Sequence, residues 1–111
     1  MLIIKWKLKE HIDINDGEFY LQIIDSNKGQ VSIKIVEKKE NGLYFEKDII
    51  KIKKGTSKEI LDGLLIAYIN GEQNNFKFGF SGNFKVLRKN KVKYKTEKKI
   101  DFSFDFDTEG Y

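Results

Sequence analysis

A chain of 111 residues with 40% hydrophobic and 14% aromatic side chains has material for one packed core and no room for two, so residues 1–111 read as a single globular domain. Cysteine and proline are both absent, which excludes a disulfide framework and any thiolate metal site. The net charge of +4 hides a lopsided layout: residues 1–50 carry −1, residues 51–100 carry +9 and residues 101–111 carry −4. Such asymmetry points either to a polyanionic partner or to segments that neutralise each other.

The N-terminal Met1-Leu2-Ile3-Ile4-Lys5-Trp6-Lys7 has too short an apolar run for a signal peptide, and the longest run anywhere, Leu64 to Ile69, is far from bilayer length. A cytoplasmic protein without a membrane segment is the expectation. Strict alternation opens the chain, with Ile4, Trp6 and Leu8 on one face and Lys5, Lys7 and Lys9 on the other. Ile12 and Ile14 keep that parity past a bend near Glu10-His11. A core position for Trp6 follows from its parity, ahead of a ligand-stacking role. Asn15-Asp16-Gly17 signals a turn, after which Phe19, Leu21 and Ile23 alternate. A loop at Ser26-Asn27-Lys28-Gly29 leads into Val31, Ile33 and Ile35, and a second at Lys38 to Gly42 leads into Leu43 to Lys53. There the inward parity slips from Leu43 and Phe45 to Ile50 and Ile52, which predicts a bulge near Lys47-Asp48.

Residues 57–69 break the pattern. Thr56-Ser57-Lys58-Glu59 matches a helix capping box, Ile60, Leu61, Leu64, Leu65 and Tyr68 fall at helical spacing, and Asn70-Gly71 supplies a stop. The spacing predicts one central helix over 57–69, with Gly63 either a weak point in it or a place of close backbone approach. Phe76, Phe78 and Phe80 resume the alternation, Ser81-Gly82-Asn83 turns the chain, and Phe84, Val86, Val92 and Tyr94 share one parity. Ile100, Phe102, Phe104 and Phe106 alternate with Asp101, Ser103, Asp105 and Asp107, as expected of a core-facing last strand. The fold class that results is α+β and mainly antiparallel, with about seven or eight strands in a curled sheet, sandwich or barrel around one helix.

The basic run from Lys85 to Lys99 has interleaved rings, as a single-stranded nucleic-acid platform requires, and Arg88, Lys89, Lys91 and Lys93 are the contacts that reading needs. Parity argues against it, because Tyr94 lies opposite Lys93 and Lys95. A hairpin that sets Lys95, Lys91 and Lys89 against Asp101, Asp105 and Asp107 also neutralises the run internally. Asp13 to Glu18 resembles the start of a calcium loop, but its glycine is fifth rather than sixth and Ile24 stands where the bidentate carboxylate belongs. A lone histidine, His11, cannot assemble a two-histidine metal site. Ser26, Ser57, Ser81 and Ser103 lack a nucleophile elbow, and Gly79-Phe80-Ser81-Gly82 precedes a strand where a phosphate loop precedes a helix. No catalytic residue, metal or cofactor is therefore expected. By subtraction the chain reads as a non-enzymatic protein-binding module, of the inhibitor or immunity type that covers a toxin or nuclease, with Asp13, Asp16, Glu18 and Glu109 as its contacts. A nucleic-acid-binding β domain is the second reading, and a small-ligand barrel lined by phenylalanines the third.

Overall fold

Period-2 patterning in nearly every segment commits this sequence to strands, and strands with one apolar face bury it by stacking two sheets. The computed structural model describes residues 1–89. Nine strands run through the described residues: β1 (Leu2–Lys7), β2 (His11–Ile14), β3 (Phe19–Asn27), β4 (Gln30–Lys38), β5 (Tyr44–Lys53), β6 (Ser57–Leu61), β7 (Leu64–Glu72), β8 (Asn75–Gly82) and β9 (Val86–Lys89). They form two antiparallel sheets, ordered β1-β8-β7-β6 and β5-β4-β3-β2-β9, that do not close into a barrel. The chain changes sheet three times, between β1 and β2, between β5 and β6, and between β8 and β9. Among the described residues no helix is long and apolar enough to cross a membrane.

The core lies between the sheets. Trp6, Leu64, Ile66, Tyr68, Phe76, Phe78 and Phe80 come from the four-stranded sheet, and Ile12, Ile14, Leu21, Ile23, Val31, Ile33, Ile35, Ile50 and Ile52 from the five-stranded one. Its aromatic centre is geometrically specific: Trp6 meets Phe78 edge-on at 5.1 Å, and Tyr68 stacks on Phe78 at 4.9 Å and 6°. Such pairs contribute about 0.5–1.5 kcal/mol each beyond their burial. Trp6 is fully buried, and its indole N–H donates to the Glu10 carbonyl at 2.6 Å.

The structure overturns the central helix and with it the α+β class. Residues 57–69 are a hairpin of β6 and β7 turning at Asp62-Gly63, with Gly63 at φ +86° and Leu61 opposite Leu64. Both readings satisfy Leu61, Leu64 and Tyr68. Ile66 decides between them: Leu64, Ile66 and Tyr68 are buried while Leu65 is 40% exposed, the alternation of a strand. The capping box is dismantled as well. The Thr56 hydroxyl donates to the Lys53 carbonyl, and the Glu59 carboxylate accepts the Gly63 N–H at 2.9 Å, so the acid serves the turn. Close backbone approach occurs here, but at Gly82, where a Cβ would collide with the Gly63 carbonyl.

Elsewhere local signals and structure agree. The bend at Glu10-His11 is the first crossing between sheets, with Lys9 at φ 68°. Lys47 is the extra residue of a β5 bulge, since Ile35 pairs with Asp48 and Val36 with Glu46. On that strand Tyr44 is buried where the sequence placed Leu43 and Phe45 inward. The expected pairing of the basic run with Asp101 to Asp107, and the core placement of Ile100, Phe102, Phe104 and Phe106, lie outside the described residues. The hairpin makes a prediction opposite to the helix it replaces. Ile66→Ala should cost about 2–5 kcal/mol in a urea titration. Leu65→Ala should cost less than about 0.5 kcal/mol.

Candidate functional site

The Asn15-Asp16-Gly17-Glu18 turn joins β2 to β3 at one end of the sandwich, and its first three residues are all left-handed, at φ 56°, 55° and 89°. Asn, Asp and Gly tolerate that conformation best, which is why this tripeptide turns the chain. Asp13 is 3% exposed and works for the turn: one carboxylate oxygen accepts the Gly17 N–H at 2.6 Å, and the other faces the Lys89 ammonium at 3.4 Å. The Tyr44 hydroxyl donates to the Gly17 carbonyl from the outer face, beside the Tyr20 ring at 5.3 Å. Asp16 pairs with Lys85 at 3.0 Å, while the Asn15 amide oxygen accepts the Lys85 N–H. Glu18, exposed, accepts from the Asn15 side chain at 3.2 Å. Of the acidic residues expected to touch a partner, Asp13 is thus a buried brace, and Asp16 and Glu18 stand at the surface. Glu109 lies outside the described residues.

The cations of the second reading are placed just as specifically. Arg88 sits 3.7 Å from the buried Glu10 carboxylate and donates through Nη1 to the Lys5 carbonyl at 2.9 Å, which ties β9 of one sheet to β1 of the other. Lys89 faces Asp13. Lys91 and Lys93 lie outside the described residues.

Four separate segments meet beyond the turn to form a cleft of about 630 Å³ between the ends of the two sheets. Phe19, Ile60 and Phe84, each half-buried against the core, give it apolar walls; Glu18, Glu59 and Asp62 stand around it. Lys47 is the lining cation, and it is paired with Glu37 at 3.2 Å. Two other clefts, beside the β4–β5 loop and the β7–β8 turn, mix lysines with glutamates. Only Glu18 of the cleft's carboxylates was singled out from sequence. Glu59 and Asp62 were hidden by the helical reading, although Asp62-Gly63 is itself a hairpin-turn signal that places both at a sheet end. Among the described residues no group of three His, Asp or Glu side chains is placed to hold a metal ion.

His11 points outward from β2, edge-on to Tyr20 at 6.0 Å. Burial, and secondarily the Lys34 ammonium, hold its imidazole below the ordinary 6.5. The fold therefore keeps His11 neutral where the unfolded chain already binds the proton. Stability should fall as pH drops below about 6.5, the unfolded chain then binding more protons than the fold. His11→Gln should flatten that part of the profile, measured by denaturant titration at about pH 7 and pH 5.5. Independently, Asp13→Ala should cost about 1–3 kcal/mol, because it strands the Gly17 N–H. Asp16→Asn, which keeps a side chain suited to the left-handed backbone, removes only a surface pair and should cost under about 1 kcal/mol.

Comparison with known protein families, curated proteins and solved structures finds no match to this chain.

Proposed function

We propose that this domain is a non-enzymatic protein-binding module that takes a basic loop of its partner into the cleft at the sandwich end, as an inhibitor or immunity-type protein does when it covers a toxin or nuclease. The observation that supports this is the cleft's composition. Among the described residues three carboxylates surround apolar walls, and the one lining lysine, Lys47, is already engaged by Glu37. A lysine or arginine side chain suits such a place twice over, its aliphatic stem on Phe19, Ile60 and Phe84 and its charge among Glu18, Glu59 and Asp62. The partner's basic rim would supply steering on approach and orientation on docking. A toxin met inside the cell accords with a cytoplasmic location, which is part of the same proposal.

The nucleic-acid reading loses support where the cations are spent. Arg88 and Lys89 face carboxylates that are themselves buried, and a cation so paired releases fewer counterions when it meets a phosphate. The test is affinity capture from nuclease-treated lysate, followed by titration of the captured protein. Glu18→Lys with Asp62→Lys should weaken binding at least about tenfold, or roughly 1.4 kcal/mol. Unchanged affinity in that variant would remove the cleft from the interface. Tight, salt-sensitive oligonucleotide binding that depends on Arg88 and Lys89, with no protein captured, would overturn the proposal.

A further inference from the structure

The outer face of the four-stranded sheet carries exposed apolar side chains among its polar ones. Its outward rows follow from the register: Ile3 beside Gly79, Ala67 and Ser57 in one, and Leu65 beside Ser81 and Glu59 in the next. A Cβ at position 79 would collide with Met1 Sδ, so the Met1 side chain lies across the glycine and fills the gap in the row. Met1 is 74%, Ile3 45% and Leu65 40% exposed. Contiguous apolar side chains on an outward sheet face mark an interaction surface. The face also carries charge at opposite corners. Lys5, Lys7 and Lys77 outnumber Glu72 toward the β1 side of one end, and Glu59 lies on β6 at the other.

We propose that this face is a two-fold interface with a second copy of the chain. An isologous interface needs a patch complementary to itself, and a basic corner diagonal to an acidic one is such a patch. A two-fold axis lying in the face and crossing that diagonal exchanges the corners. Lys5 and Lys77 of each copy then meet Glu59 of the other, twice over. Ile3, Leu65, Ala67 and Met1 pack against the same residues between them. The axis sets the strands of the two sheets across each other at a steep angle, one of the two standard ways in which sheets stack. A bilayer suits the face less well, since Glu59 would be pressed against anionic headgroups. The interface shares Glu59 with the end cleft and leaves the cleft's Glu18 and Asp62 untouched, so the Glu18 and Asp62 variants test the cleft alone.

Sedimentation of the full chain tests it. The wild type should sediment as a dimer, and Leu65→Glu as a folded monomer with an unchanged circular dichroism spectrum. Lys77→Glu should raise the dimer dissociation constant roughly tenfold, and combining it with Glu59→Lys should restore the wild-type value. Because Glu59 also accepts the Gly63 N–H, a misfolded Glu59 variant is covered by a second arm. In a chain without cysteine, Ala67→Cys near the axis should give a disulfide-linked dimer with native signal. A monomeric wild type, a dimer indifferent to Leu65→Glu, or an Ala67→Cys chain that forms no covalent dimer would each overturn the interface.

Discussion

The junction at Glu10 is the constraint on which the rest of the sandwich depends. Where the chain leaves one sheet for the other, this residue makes four interactions at once. Its carbonyl accepts the Trp6 indole N–H, and its own N–H donates to the Lys7 carbonyl. One carboxylate oxygen accepts the Lys7 N–H at 3.1 Å, and the other faces Arg88. A carboxylate 6% exposed is tolerable only when so engaged, because an unpaired buried charge costs several kcal/mol. The same contacts fix the largest core side chain and the angle at which β2 departs. The inner faces of the two sheets are brought together by a polar knot at the rim of an apolar core.

A second buried carboxylate extends that logic to the other end of β2. Asp13 holds the Asn15–Gly17 turn closed and faces the last residue of β9. Glu10 and Asp13 thus pin a four-residue strand that is an edge among the described residues and whose own side chains are mostly exposed. The Lys85 backbone, joined to Asn15 in both directions, sets where Phe84 enters the end cleft. The place of Phe84 in the candidate site is therefore set by hydrogen bonds to Asn15, a residue that itself lines the cleft.

Alternation made most strands legible from sequence, together with Trp6 in the core, the Asn15-Asp16-Gly17 turn and the Lys47 bulge. Each is a local signal with a period or a dipeptide behind it. The hairpin of β6 and β7 was not legible, because Leu61, Leu64 and Tyr68 fit both periods and the Thr56/Glu59 pair imitates a helix start. Tertiary packing settled it by drawing Ile66 inward. The candidate cleft was mostly hidden for a different reason: Glu18, Lys47, Glu59 and Phe84 are far apart in the chain and meet only through the crossings between sheets. The fates of Asp13, Arg88 and Lys89 were hidden likewise, since pairing across β2 and β9 joins residues more than 70 positions apart.

Without proline, this chain must guard its sheet edges some other way, and β1 shows how. Its even-numbered residues face β8, as the Leu8 N–H to Asn74 carbonyl bond continues, so the odd-numbered peptide groups look outward. Glu10 occupies both groups of Lys7, and the Arg88 guanidinium covers the Lys5 carbonyl. A stopper of this kind is electrostatic rather than covalent. A proline removes its donor permanently, whereas a guanidinium can be drawn off by salt, phosphate or a competing carboxylate. Among the described residues, the Lys5 carbonyl on this edge is thus capped by a half-exposed guanidinium whose hold weakens as ionic strength rises.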